Sequence, residues 1–255
     1  MQGLLVKIDP ATAALIFAAV LLASWGAGFG LGRRLRTRGK PRPAGKLDDA
    51  SLAILGLLLA FTFSMALGKY DRRREMLVTD SNSIGDFYTC ASLIRDPVKT
   101  RLQGVIREYA ELRVRIVREA RSASDFEAAV RRFAEMQGRM TALVGEALAE
   151  GTPVAIPLTN TLNNLTSAHA ARLVAFRDRL PGSVVLLLLA SGALSTFLVG
   201  RSQGSSDDAA AASMVGFLLL VSLVVWVIFD LNDPTRGLIT LSQEPMQRVL
   251  QSMTP

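Results

Sequence analysis

The sequence predicts an all-α membrane protein: four transmembrane helices, with a helical bundle domain inserted between the second and third. Three observations predict it. Half of the 255 residues are apolar and the mean hydropathy is positive. The apolar residues gather into four blocks, each long enough to cross a bilayer. The polar stretch between the second and third blocks keeps a helical period and shows no strand alternation.

A hydrocarbon core ~30 Å thick, crossed at ~1.5 Å per residue, needs ~20 mostly apolar residues in a row. Residues 1–32 hold the N-terminus and the first such helix, whose run from Ala11 to Gly32 carries no charge. Asp9 precedes that run and no A-x-A site follows before Arg33, so it reads as a retained helix rather than a signal peptide. Gly26, Gly28, Gly30 and Gly32 repeat at small-xxx-small spacing, which lets helices approach closely in lipid. Glycine is also common in membrane helices generally, so both readings stand. Residues 33–50 form a basic loop with Arg33, Arg34, Arg36, Arg38, Lys40, Arg42 and Lys46. The second membrane helix is expected over 51–68, the helical soluble domain over 69–182 and the third membrane helix over 183–200. A loop over 201–209, the fourth membrane helix over 210–229 and a C-terminal tail over 230–255 complete the chain.

The second helix shows no break signal after Gly68 and is expected to continue through Tyr70–Ile94. Asp96-Pro97 then marks a stop and a restart, with Asp as N-cap and Pro at the first helical position. The next helix reaches about Arg121, with the apolar stripe Val98, Leu102, Val105, Tyr109, Leu112 and Ile116. Ser124 to Glu127 fits a capping box before a helix that buries Phe126, Val130, Phe133, Met140, Leu143 and Ala147. Glu150 to Pro153 ends it. The last helix runs from Pro157 to Leu180, with the stripe Leu158, Leu162, Leu165, His169, Leu173, Phe176 and Leu180. Narrow stripes of this kind suit a bundle or packing in an oligomer.

The net charge of +7 comes mostly from arginine. Contact with anionic headgroups or permeating anions accounts for it better than nucleic acid, for which no motif is present. A single Cys (Cys90) and a single His (His169) rule out an internal disulfide and any zinc-ligand spacing. No cofactor and no catalytic set is expected, so the chain is read as a non-enzyme. His169, on an apolar stripe, reads first as a hydrogen-bonded core residue, and second as a pH-sensitive gate. Arg72, Arg73 and Arg74 follow the second membrane helix. They read as headgroup contacts, or as a ring of positive charge at a pore mouth. On the second helix, Leu55, Leu59, Phe63 and Leu67 form one four-spaced row, and Ile54, Leu58, Phe61 and Met65 another. Either row could line a hydrophobic constriction, face lipid or pack. Asp230, Asn232 and Asp233 read as a helix-end cap ahead of a cation site, and Asn160, Asn163 and Asn164 as polar surface or bundle hydrogen bonds.

The run Leu57 to Ser64, followed by Tyr70-Asp71-Arg72-Arg73-Arg74-Glu75, resembles the bestrophin-like family of bacterial membrane proteins. Asp80 to Tyr88, with Asn82 and Gly85, is similar to that family's E-x-N-A-x-G-x-x-Y stretch. Leu162-Asn163-Asn164 with His169, Arg172 and Leu180-Pro181 matches a second stretch. Asp230 to Ile239, with Pro234 and Gly237, matches the tail motif. The resemblance extends distantly to the bestrophin anion channels, although Arg73-Arg74 stand where those carry paired tryptophans.

That resemblance implies an oligomeric channel, a pentamer of four-helix subunits that passes small anions. It puts the pore on the second helix, with a neck nearest Leu55, Leu59 and Phe63, to within a slip of one residue. It implies a multi-pass protein of the bacterial inner membrane with the helical domain in the cytoplasm. The basic first loop points the other way, because positive loops stay inside. The side therefore remains open, with a slight lean to the cytoplasm. The alternative function is a membrane sensor or interaction protein whose bundle senses a ligand without catalysis, and a purely structural membrane protein is a third.

Overall fold

The computed structural model describes residues 9–38, 46–119, 123–205, 211–233 and 238–253. Among them there are eight α-helices and no strand. They are α1 (Pro10–Thr37), α2 (Lys46–Ala91), α3 (Val98–Glu119), α4 (Ala123–Ala149), α5 (Ala155–Arg177), α6 (Gly182–Ser205), α7 (Ala211–Asn232) and α8 (Glu244–Ser252). The chain divides into two compact units: Met1–Tyr70 with Arg179–Thr240, and Asp71–Asp178 with Leu241–Pro255.

The first unit holds α1, the first half of α2, α6 and α7. Among the described residues, four helices are long and apolar enough to cross a membrane, and these contain them. α1 starts where Asp9 accepts the Ala11 amide at 3.2 Å, with Pro10 at the first helical position. It ends with Arg34 and Arg36 in its last turn, where cations favour the helix dipole. The helices run past their apolar windows, α1 to Thr37 and α6 to Ser205, because backbone hydrogen bonding continues into polar sequence.

Inter-helix contacts fix the directions. The Ser195 hydroxyl donates to the Ser51 carbonyl at 3.0 Å, while Gly192 lies beside Leu55, so α6 runs antiparallel to α2. Gly28 faces Phe197 and Gly32 faces Arg201, so α1 runs parallel to α6. The Leu180 amide donates to Asn232 Oδ1 at 2.7 Å, which joins the start of α6 to the end of α7. One end of this unit therefore carries Tyr70, Leu180 and Asn232, and the opposite end carries Arg33, Arg34, Arg36 and Arg201. Phe17, Leu21, Leu55, Leu59, Leu188, Leu218 and Val225 are among the residues that fill its core.

α1 and α6 meet backbone to backbone. A Cβ on Gly28 would stand 2.1 Å from the Phe197 carbonyl oxygen, and one on Gly200 would stand 2.2 Å from the Trp25 carbonyl oxygen. Gly32 and Gly204 repeat the contact one turn on. Lipid gives apolar helices no reason to associate through water release, so close packing between small residues carries the interaction. Gly26 and Gly30 meet nothing within 4 Å. Of the glycine run in α1, only the pair on the α6 side is sterically required.

The second unit holds the rest of α2 with α3, α4, α5 and α8. Ile84, Phe87, Leu102, Tyr109, Phe133, Met140 and Leu158 are central to its core. The α2 helix is continuous through Gly68 for 46 residues and stops at Ala91, short of Ile94. α3 begins at Val98, directly after Pro97, and Asp96 caps its first turn by accepting both the Thr100 hydroxyl, at 2.6 Å, and the Thr100 amide. α4 turns Ala129, Met136 and Val144 inward with Phe133 and Met140, leaving Phe126, Val130 and Leu143 half-buried. α5 buries Arg172 and Ala175, where the apolar pattern favours Leu173 and Phe176. Residues 241–253, grouped by sequence with the tail, cluster with this unit. Met246 and Met253 are buried, and the Tyr88 hydroxyl donates to the Met253 carbonyl at 3.2 Å. A nine-residue helix with two such anchors is too short to leave a periodic signal.

The α1–α6 contact generates a prediction. Gly28→Ala should destabilise the detergent-solubilised protein by about 1–3 kcal/mol through overpacking, whereas Gly30→Ala should leave it unchanged. Thermal unfolding of both variants checks this, and equal midpoints would remove the steric argument.

Candidate functional site

α2 carries most of the sequence-predicted site residues, and its periodicity decides where they point. Leu55, Leu59, Thr62 and Ala66 are buried, alternating steps of four and three. The same rhythm continues through Arg73, Leu77, Asp80, Ile84, Phe87 and Ala91. Leu55 is 1% exposed and packs into the first unit's own core, and Leu59 is buried in the same cluster. Phe63 is 37% exposed and lies off that stripe. The four-spaced row of Leu55, Leu59 and Phe63 is therefore not one surface. Spacing of four drifts by about 40° per step on a 3.6-residue helix, so the third member leaves the face of the first. The opposite face of α2 is open: Leu57 and Phe61 are exposed together with Ala53, Ala60, Ser64 and Gly68.

The three arginines separate in the same way. Arg72 is exposed and pairs with Glu75 at 2.9 Å. Arg74 is exposed. Arg73 is 1% exposed: its Nε donates to the Ala175 carbonyl at 3.3 Å and its Nη2 to the Asp178 carbonyl at 2.9 Å. Arg73 thus closes the C-terminal end of α5, satisfying carbonyls that the helix leaves open. It cannot join a ring of charge with its two neighbours.

Further along α2, Asp80 is fully buried. Both Arg113 Nε, at 3.0 Å, and Arg113 Nη2 donate to Asp80 Oδ2, and Arg172 Nε lies 3.6 Å from the same oxygen. Beside them the Tyr109 hydroxyl and His169 Nδ1 share a hydrogen bond of 2.8 Å. The Phe133 ring packs edge-on against both, at 5.0 Å from Tyr109 and 5.2 Å from His169. The Arg113 guanidinium lies over the other side of that cluster, 5.6 Å from the Phe133 centroid, and Arg172 stacks 5.7 Å from Phe176. Gln137 of α4 reaches the Tyr109 hydroxyl. One polar cluster thus ties α2, α3, α4 and α5 together. It joins three family-motif positions, Asp80, His169 and Arg172. Asn82 is exposed, and Gly85 lies against Val249 of α8, where a Cβ would make ordinary contact at 3.6 Å.

Burial sets the charge states here. It lowers His169 to about 4, reinforced by Arg172 and Arg113 and opposed by Asp80. Burial pushes the Tyr109 hydroxyl well above its ordinary range. The sequence reading missed Tyr109, Arg113 and Gln137 as partners. Arg113 follows Tyr109 by four residues on a buried stripe, which is a readable sign of a charge brought inside.

In the first unit, Asp230 is 1% exposed and accepts the amides of Leu238, at 3.0 Å, and Ile239, at 2.8 Å. Asn232 receives Leu180, and Asp233 lies 3.6 Å from Arg179. These groups fix the chain's exit from α7, the capping role. Pro234 and Gly237 lie outside the described residues. Among the described residues, no three His, Cys, Asp or Glu side chains come together as a metal site.

The His169 environment gives a pH dependence. Its folded value lies below the ordinary 6.5, so the neutral imidazole contributes stability that is complete above about pH 6.5. That contribution, at most about 3 kcal/mol, is lost as pH falls from 6.5 to about 4. Unfolding midpoints across that window should fall for the native protein and flatten in His169→Asn. Breaking the ion pair should cost more: Asp80→Asn strands two buried guanidiniums and should destabilise by about 3–5 kcal/mol.

Comparison with known proteins places the fold. No curated protein matches the chain. Two crystal structures match its fold. One is a bacterial bestrophin homologue from Klebsiella pneumoniae carrying a single substitution, with 11% identity and a TM-score of 0.67 over 94% of this chain and 97% of that one. The other is a membrane protein, also with one substitution, at 11% identity and a TM-score of 0.63 over 94% and 96%. The bestrophin-like domain model covers residues 14–246, and with those residues accounting for nearly all of it, the chain belongs to the bestrophin-like family of membrane proteins.

Proposed function

We propose that the chain assembles into an oligomeric ion channel selective for small anions, with the open face of α2 lining the pore. The observation that carries this reading is the composition of that face. Leu57 and Phe61 are exposed, 56% and 63%, on the same side as Ser64 and Gly68. Two large apolar groups beside a serine and a glycine on one face match what a pore lining requires. A pore needs a narrow apolar ring that excludes water when closed, next to small or polar residues that let ions approach it.

The neck therefore moves from Leu55, Leu59 and Phe63 to Leu57 and Phe61, with Phe63 at the edge of the open side. Leu55 and Leu59 are buried in the core of a single chain, which favours the open face over them. Arg72 and Arg74, exposed on the same helix, supply positive charge for anions, as does the net charge of +7. A pentamer in the bacterial inner membrane with the helical unit in the cytoplasm follows from the family reading.

A second reading has its own observation. Arg33, Arg34, Arg36 and Arg201 gather at the end of the first unit opposite Tyr70 and Asn232, and positive ends stay inside. That would leave the second unit outside the cell, where a helical bundle suits sensing.

Planar-bilayer recording tests the channel. Phe61→Ala should raise unitary conductance or open probability several-fold, while Leu55→Ala should change stability and leave conductance alone. Silence from the native protein, Phe61→Ala and Phe63→Ala alike would end the channel reading. Labelling an exposed cysteine at Arg131 from outside intact cells decides the side: protection supports the cytoplasmic bundle, and reaction supports the sensor.

A further inference from the structure

Arg201 of α6 lies beside the charge-free run of α1. A Cβ on Gly28 would stand 3.0 Å from the Arg201 nitrogen, and one on Gly32 would stand 2.1 Å from its carbonyl oxygen. In the same place a Cβ on Gly204 would stand 3.0 Å from the Arg33 nitrogen. Arg33 and Arg201 therefore leave from two backbones that touch. Arg201 is half-buried, and Arg33 and Arg34 are exposed. Like charges held this close repel, and a guanidinium at the edge of the hydrocarbon is costly without a partner.

The chain does not supply that partner. Among the described residues, the side chains of Arg33, Arg34 and Arg201 form no ion pair, and Asp48 and Asp49 of α2, at the same end, pair with none of them. Residues 33–50 and 201–209 carry eight basic and four acidic side chains between them, a surplus of four positive charges. Helix dipoles leave that surplus intact. α1 and α6 end here while α2 and α7 begin here, so terminal charges of about half a unit each cancel. Beside the arginines the surface is apolar. Leu22 and Phe29 share a face of α1 with Arg33, and are 52% and 37% exposed. Trp25 lies 5.7 Å from Phe29 and donates to Gln203 at 2.8 Å, two residues past Arg201. A partner for this end must present negative charge and an apolar body together.

We propose that the shared end of α1 and α6 binds an anionic phospholipid, with its phosphate between Arg33 and Arg201 and an acyl chain along Leu22, Trp25 and Phe29. The guanidinium fork matches two phosphate oxygens, and the phosphate removes the repulsion between the two arginines. A zwitterionic lipid brings an ammonium group of its own to a place already rich in positive charge, so a headgroup of net negative charge is selected. The site uses none of the residues assigned to conduction and holds whichever side of the membrane this end faces. It therefore stands or falls separately from the channel reading.

Trp25 gives a local readout, because Trp226 is the chain's only other tryptophan. Full-length Trp226→Phe protein would be reconstituted in vesicles of phosphatidylglycerol and phosphatidylcholine at equal mole fraction. One lipid or the other would carry brominated acyl chains, which quench an indole they touch. The expected result is quenching several-fold stronger from brominated phosphatidylglycerol, persisting in salt that screens the vesicle surface. Arg33→Gln with Arg201→Gln should bring the two lipids to equality. Arg72→Gln with Arg74→Gln removes the same charge from exposed positions in the second unit and should leave the preference in place. Equal quenching by the two lipids would overturn the proposal, as would a preference unchanged by the Arg33 and Arg201 substitutions. An equal loss in the Arg72 and Arg74 variant would reduce the effect to net charge and also overturn it. Abolition by added inorganic phosphate would assign the site to a free anion instead of a lipid.

Discussion

Hydrocarbon offers backbone amides and carbonyls no partner, and the rest of this protein follows from that constraint. Each segment crossing the bilayer must close its own hydrogen bonds, which only a helix does within one segment. The polar side chains placed there obey the same demand. Thr62 returns its hydroxyl to the Leu58 carbonyl at 2.7 Å, Thr196 to Gly192 at 2.8 Å and Ser222 to Leu218 at 2.6 Å. With the backbone satisfied internally, helices gain little from burying apolar surface against one another. They gain from coming close, and Gly28, Gly32, Gly200 and Gly204 make that approach possible between α1 and α6.

The two units obey different rules, and α2 belongs to both. Its buried stripe keeps one rhythm from Leu55 to Ala91, but the stripe changes chemistry on the way. In the first unit it is leucine, threonine and alanine. In the second it brings Arg73 and Asp80 inside, where each must be answered by name: Arg73 by the end carbonyls of α5, and Asp80 by two arginines. Apolar packing is permissive about which neighbour it meets, whereas a buried carboxylate is not. The Asp80 cluster consequently specifies how α3, α4 and α5 register against α2 more tightly than the leucines around it do.

Each half of α2 is held in its own unit. In the first, Leu55 and Leu59 bury one face of the helix in the unit's core. In the second, Arg73 ties the helix to the end of α5. A change in the charge of the Asp80 cluster acts on α2 directly, because Asp80 is part of that helix.

Much of this was legible in the residues, for definite reasons. The four apolar blocks specify the membrane helices because length and the absence of charge leave no other home for them. The continuation of α2 past Gly68 was readable because nothing in the sequence stops it. The motif at Asp80, His169 and Arg172 marked the cluster's members without saying that they touch. Tertiary structure decided the rest. A four-residue repeat and a four-three repeat diverge slowly along a helix, so sequence could not say that Leu55 and Leu59 face inward while Leu57 and Phe61 stay open. Three consecutive arginines look alike in a row, yet each points about 100° from the next, and only the position of α5 singles out Arg73 for burial. The pairing of Asp80 with Arg113, 33 residues away, depends on how α2 and α3 fold together, and no local pattern encodes that distance.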